Sequence, residues 1–220
     1  MAVSRYDLRR RLVLAARDLF DRGLNTGTAG NVSVRFGDWF LITPSGIRYD
    51  ALEPTQIVEM DMEGASEGRM RPSSEWRFHL DIYKARPEVG AIVHTHPPFG
   101  TAVAALRREV PAFHYMVAVA GGTTIRCAPY ATFGTQLLSD YVQRALEDRT
   151  ACLLANHGMV AVEATLEQAT QLAIEVEMLC RMYLTALAAG EPHVLTDEEM
   201  QEVLDKFADY RNPPAHKPWD

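Results

Sequence analysis

Val93-His94-Thr95-His96-Pro97 closes an apolar run, Ala91-Ile92-Val93, in two histidines separated by one residue. The run is short and apolar, which predicts a buried strand. Side chains alternate faces along a strand, so His94 and His96 project to the same side, near enough to share one ion. A second apolar run, Cys152-Leu153-Leu154-Ala155, leads into Asn156-His157-Gly158 and puts a third imidazole at the mouth of another strand. Three neutral imidazoles with one coordination position open describe a catalytic zinc rather than a structural one. Cobalt or manganese could fill the same ligand set.

Outward from these strands, short strands and helices follow one another. Leu8, Leu12, Ala15 and Leu19 recur at helical spacing, and Gly23 marks the stop. Val32–Phe36 and Trp39–Thr43 read as a hairpin about Gly37-Asp38, and Gln56–Asp61 as a further strand. Glu63–Met70 reads as a polar surface excursion. A helix is expected from Pro72-Ser73-Ser74-Glu75, with Phe78, Ile82 and Tyr83 inward. Phe99–Leu106 and Gly134–Glu147 are helical in pattern, while Val117–Gly122 and Thr123–Cys127 fit strand or loop. Met159–Val162 completes a hairpin through Asn156-His157-Gly158. Leu166–Ala189 and Asp197–Tyr210 are the closing helices before a proline-rich tail. Strands come in groups without regular βα alternation. The expected fold is therefore α+β, a central and mainly antiparallel sheet covered by helices in three α/β/α-like layers. With no repeats, low-complexity tracts or linkers, residues 1–220 are expected to form a single domain.

At 220 residues, 47% hydrophobic and 23% charged, the chain can fill a core and is unlike a disordered segment. Its formal net charge of −7 argues against nucleic acid or an anionic membrane as partner, because both require a basic surface. No apolar run reaches membrane-spanning length, and no apolar segment with a cleavage site follows Arg9-Arg10-Arg11. Cys127, Cys152 and Cys180 fit no C-x-x-C pattern, so reduced thiols in a cytoplasmic protein are expected.

A lone histidine is most often a core or surface residue, and that reading serves for His79, His114, His193 and His216. Glu75 has two readings. It falls in the first turn of the expected helix, where the dipole alone favours a carboxylate. It would equally serve as a general base or a displaceable fourth ligand beside the ion. Three turns carry small hydroxyls and free backbone N–H groups: Gly27-Thr28-Ala29-Gly30-Asn31, Thr43-Pro44-Ser45-Gly46 and Ser73-Ser74. Each alone is a turn or a helix cap; brought together they are the ingredients of a phosphate cradle. No glycine-rich nucleotide motif is present.

Gly27-Thr28-Ala29-Gly30-Asn31-Val32-Ser33, Ile42-Thr43-Pro44-Ser45-Gly46, Pro72-Ser73-Ser74-Glu75, His94-Thr95-His96 and Asn156-His157-Gly158 together resemble the class II aldolase/adducin family. Within it they are most similar to the branch acting on L-fuculose 1-phosphate. The likeness runs collinearly through His114-Tyr115-Met116, Gly121-Gly122 and Cys127–Thr135 into the last helix. The resemblance implies that family's fold, with zinc on His94, His96 and His157 and Glu75 as fourth ligand or acid/base. It implies a substrate phosphate among Thr28, Asn31, Ser45, Gly46, Ser73 and Ser74. Tyr115 would carry a proton at the aldehyde end, supplied by a neighbouring subunit of a homotetramer. Phe133, Phe207 and Tyr210 would lie on the aldehyde side, the last two in a tail that covers it.

The reaction implied is reversible cleavage of a (deoxy)ketose 1-phosphate into dihydroxyacetone phosphate and a short aldehyde. An aldolase for 5-deoxyribulose or 5-methylthioribulose 1-phosphate differs only at the aldehyde end. A pentulose-phosphate epimerase, a methylthioribulose-phosphate dehydratase and a sugar-acid-phosphate decarboxylase use related ligands. Adducin-like members without catalysis lack the histidines, so their presence favours an enzyme over an interaction module.

Overall fold

The computed structural model describes residues 4–211, with side chains to residue 208. Its strands are β1 (Asn31–Phe36), β2 (Trp39–Ile42), β3 (Val58–Asp61), β4 (Ser66–Glu67), β5 (Ala91–Thr95), β6 (Cys127–Ala128), β7 (Ala151–Leu154) and β8 (Gly158–Glu163). They form one sheet in the order β4-β3-β2-β1-β5-β8-β7-β6. Neighbours are antiparallel throughout, apart from the parallel pair β6 and β7. All five residues of β5 are buried, as a strand covered on both faces requires.

Alternation along the strands feeds two cores. Val32, Val93, Leu153 and Ala161 face α1 (Arg5–Asp21), α3 (Pro98–Ala105), α5 (Leu166–Ala189) and α6 (Asp197–Arg211). Ile42, Ile92, Cys152 and Val160 face α2 (Trp76–Ala85) and α4 (Gln136–Ala145). The result is the three-layer α+β arrangement expected from the sequence. Its parity also decides the site. His94 is two residues beyond Ile92, so it emerges on the α2 face.

Ser4, Thr135 and Thr165 cap α1, α4 and α5 by accepting a backbone N–H from the first turn. Phe78 and Ile82 seal α2 onto the sheet. Burial of side chains that size stabilises by about 1.5–3 kcal/mol each. That is enough to hold a helix end whose polar groups are also out of water.

Several boundaries differ from the sequence expectation. The strand expected from Gln56 starts at Val58, because Pro54–Gln56 forms a 3-10 turn closed by reciprocal Glu53 and Gln56 side-chain bonds. The surface excursion Glu63–Met70 contains β4, which pairs Ser66 and Glu67 with Met60 and Glu59. Tyr115–Ala120 is a 3-10 helix rather than strand or loop. The His114 ring accepts the Met116 N–H at its start, and Gly121, at φ 90°, ends it. No helix among the described residues is long and apolar enough to cross a membrane. Cys127, Cys152 and Cys180 are free thiols.

Candidate metal centre

Three chain segments deliver the histidines. His94 lies on β5, across from Asn31 on β1 and Val160 on β8, and is fully buried. His96 sits just past the strand end, its backbone N–H held by the Asn25 Oδ1 at 3.0 Å. His157 occupies the β7–β8 turn after Asn156, whose φ of 56° reverses the chain. The rings are related like three blades. Their centroids are 4.8, 4.9 and 4.8 Å apart, with interplanar angles of 72°, 73° and 74°.

This approach needs a glycine at 158. A Cβ there would overlap the Thr95 carbonyl oxygen and stand 2.8 Å from His96 Cδ2. Gly30 serves similarly in the first turn, since a Cβ at that position would overlap the Asn25 amide that holds His96.

Glu75 closes the group. It is the residue before α2, not one in its first turn, and its side chain makes no capping bond. The dipole reading therefore gives way to a direct one. Glu75 Oε2 is 3.0 Å from His94 Nε2, and Oε1 is 3.4 Å from His157 Nε2. Burial opposes charge on this carboxyl, yet His94, by charge and hydrogen bond, then His157 and His96, hold it down at about 2. Burial pushes His96 to about 3 and His157 to about 4, with the charge of His94 adding to both. Burial also works against a charged His94, but the Glu75 carboxylate and the Met159 carbonyl raise it above its ordinary 6.5.

These residues suit a divalent ion. One ligand atom from each of Glu75, His94, His96 and His157 falls within 4.8 Å of all the others. His94 Nδ1 donates to the Met159 carbonyl at 2.8 Å, which aims Nε2 at the centre, 3.0 Å from His96 Nε2. A tetrahedral zinc with bonds near 2.0–2.1 Å spaces its ligands about 3.3 Å apart. Glu75 Oε1 is buried with no hydrogen-bond partner, as an oxygen waiting for a cation would be.

A cavity of about 360 Å³ opens in front of this cluster. Its lining includes Thr28, Asn31, Ser45, Gly46, Ser73, Ser74 and Glu75, together with His96, His157 and Phe133. The three hydroxyl-bearing turns thus do converge. Ser45 N–H donates to Arg71 O and Ser73 N–H to Thr43 O, tying two of them side by side. Those two N–H groups are engaged in the tie and are not free for an anion, contrary to the sequence reading. No lysine or arginine is among the described residues lining it.

The remaining expected residues lie elsewhere. Tyr115 is half-exposed, stacked on His114, and does not line this cavity. Phe207 stands 6.5 Å from Tyr115 and packs against the α5 side of the core. Tyr210 falls in the last turn of α6, and its side chain lies outside the described residues. His216 is also outside them. Two residues make contacts that the sequence did not announce. Asn31, expected on a phosphate, lines the cavity and its amide is also bonded at one end to Glu75 and at the other to His79. His79, read as an ordinary core histidine, belongs to that same chain of contacts. Asn31 and Ser33 are two apart on β1, and His79 and Tyr83 are four apart on α2 with Glu75 just before it; all are buried, but nothing in the sequence marks which of them pair.

The sequence profile of the class II aldolase and adducin N-terminal domain matches residues 10–184. The chain belongs to this family. It is 55% identical over 210 residues to the 5-methylthioribulose-1-phosphate/5-deoxyribulose-1-phosphate aldolase of Rhodospirillum rubrum, covering 96% of this chain and 95% of that one. It is 51% identical over 209 residues to the L-fuculose phosphate aldolase of Escherichia coli K12, covering 94% and 97%. A solved L-fuculose 1-phosphate aldolase superposes with a TM-score of 0.89 at 42% identity, covering 94% of this chain and 98% of its own. This class II aldolase thus shares both fold and near-complete length with enzymes named for aldol cleavage.

Proposed function

We propose that this class II aldolase cleaves a deoxyketose 1-phosphate, of the L-fuculose 1-phosphate kind, into dihydroxyacetone phosphate and a short aldehyde. The observation that carries the proposal is the meeting of Glu75, His94, His96 and His157 at the floor of a cavity rimmed by Thr28, Ser45, Ser73 and Ser74. A divalent ion on those four residues, zinc in this reading, supplies Lewis-acid stabilisation of the negative charge that builds on the substrate carbonyl oxygen.

The chain's own residues do the rest. Thr28, Asn31, Ser45, Gly46, Ser73 and Ser74 line the place for the phosphate. Binding there, away from the reacting bond, holds C3 and C4 in register. As the C3–C4 bond breaks, its electron pair stays with the C1–C3 fragment and the C4 hydroxyl gives up its proton. Tyr115 relays that proton to solvent as C4 leaves as the aldehyde carbon. Glu75 takes up a proton from solvent and delivers it to C3, which completes dihydroxyacetone phosphate and returns the carboxylate. Following the family resemblance, Tyr115, which does not line the cavity of its own chain, is assigned to the cavity of a neighbouring subunit in a homotetramer. Phe133, at the cavity mouth, and Phe207 and Tyr210 on the tail are assigned to the aldehyde. The free thiols accord with a reducing, cytoplasmic setting. One sheet running through the described residues supports residues 1–220 as a single domain.

A second reading keeps everything except the aldehyde: 5-deoxyribulose or 5-methylthioribulose 1-phosphate as substrate. It is favoured by the 55% identity to the Rhodospirillum rubrum enzyme. The test is condensation of dihydroxyacetone phosphate with lactaldehyde, acetaldehyde, methylthioacetaldehyde and glycolaldehyde, compared by kcat/KM. Lactaldehyde as best acceptor supports the first reading, and acetaldehyde or methylthioacetaldehyde the second. No condensation with any of them, after loading with zinc, cobalt or manganese, refutes both.

A further inference from the structure

Behind the metal centre, Glu75 is the front end of a buried chain of hydrogen bonds that crosses from the sheet to α2. Asn31 Nδ2 donates to Glu75 Oε2 at 3.1 Å, and Asn31 Oδ1 is 2.5 Å from His79 Nε2. His79 Nδ1 is 2.7 Å from Ser33 Oγ, which is 2.8 Å from the Tyr83 hydroxyl. Every member is buried, His79 and Ser33 completely. Asn31 and Ser33 share a face of β1, and His79 and Tyr83 are one turn apart on α2, so the two elements meet contact for contact.

Complete burial holds the His79 ring neutral, pushed down to about 3, and with a neutral ring only one placement of protons satisfies all four contacts. An ionised carboxylate can only accept, so Asn31 turns its amide N–H to Glu75. Its Oδ1 then faces His79, which must carry its proton on Nε2. His79 Nδ1 is left as a lone pair and accepts from Ser33. Ser33 in turn accepts from Tyr83. All the donors point the same way, toward Glu75, and bonds aligned like this reinforce one another. With Asn31 flipped, two acceptor oxygens would face each other.

We propose that His79 is a positioning residue for the reaction: it fixes the Asn31 amide, which pins one Glu75 oxygen and leaves the other free to work. The free oxygen is Oε1, which has no hydrogen-bond partner. The inference rests on Glu75 handling the proton in the aldol reaction proposed above. It adds a residue that touches neither ion nor substrate.

The test uses the intact, metal-loaded enzyme with His79→Leu and His79→Gln, each alone and combined with Asn31→Ala. Leucine should lower kcat for proton exchange on dihydroxyacetone phosphate by roughly tenfold to a hundredfold, the usual range for groups that orient a metal-site ligand. KM should change less than kcat, because Thr28, Ser45, Gly46, Ser73 and Ser74 of the cradle are untouched. Glutamine can still donate to Asn31 and should recover most of the rate. In the Asn31→Ala background, His79→Leu should cause no further loss. A loss that persists there, or wild-type exchange in His79→Leu, overturns the inference. Independently, nitrogen-15 shifts of the His79 ring in the wild-type protein should show the Nε2–H tautomer. The Nδ1–H tautomer would overturn it whether or not the protein cleaves any sugar phosphate. Absence of aldol activity alongside the Nε2–H tautomer would instead count against the proposed reaction.

Discussion

Glu75 Oε2 and His94 Nε2 lie 3.0 Å apart, the carboxylate at the head of α2 and the imidazole on the central strand β5. Both groups are almost wholly removed from water. Glu75→Gln keeps the shape and one acceptor oxygen while removing the charge and the proton-carrying ability. The three histidines should still hold the ion, so metal content should remain stoichiometric. Proton exchange on dihydroxyacetone phosphate should fall by at least about a hundredfold, the scale of general acid–base catalysis. Turnover equal to wild type would remove Glu75 from that role.

Ion uptake should be coupled to pH with a definite sign. His94 is raised above its ordinary 6.5 by Glu75 despite its burial, so at pH 6.5 and below the metal-free site mostly holds a proton that an ion must displace. His96, at about 3, and His157, at about 4, are already neutral at pH 6.5 and contribute no proton. Affinity should therefore rise with pH up to the His94 value and level off beyond it. Calorimetric zinc titrations at pH 6.5 in buffers of different ionisation enthalpy should find protons released on ion binding. Release of none would contradict a charged His94.

Gly158→Ala tests the packing of the turn. The added methyl meets the Thr95 carbonyl oxygen, a backbone atom, and the His96 ring. Overpacking of this kind costs about 1–3 kcal/mol. A lower Tm should be accompanied by reduced ion loading, since His96 is the group pushed aside. Full loading with an unchanged Tm would show that the strand ends have more room than the structure gives them.

Tyr115→Phe separates the two proton transfers. Cleavage of the ketose phosphate should drop sharply while exchange on dihydroxyacetone phosphate, which needs only Glu75, continues. Equal loss of both would contradict the division of roles. Mixing Tyr115→Phe with Glu75→Gln subunits should restore some cleavage if the tyrosine serves a neighbour's cavity.

The metal histidines were legible because a strand has a period of two, and His94-x-His96 carries that period on its face. His157 was legible from its place after an apolar run. The sheet and its three layers followed from the same alternation. The wiring behind the site was not, because it depends on β1 lying beside β5 with Asn31 opposite His94. Register between strands sixty residues apart is set by tertiary packing, and single polar residues such as Ser33 and His79 carry no local mark of their partners. Tyr115–Ala120 misled for a related reason. Its two valines have strand propensity, but a His114 cap and a glycine at its end decide the backbone.

The cavity wall proposed for the phosphate comes from residues 28–75, in turns beside β1, β2 and α2, whereas Tyr115 and Phe207 belong to later segments that do not line the cavity. Under the proposed reaction, the wall that would hold the phosphate is thus separate along the chain from the residues assigned to the variable end of the sugar. Substitutions can accumulate around the second without loosening the first. Under the proposed reaction, such a scaffold is evolvable in one direction: it can exchange the aldehyde it releases while keeping the triose phosphate.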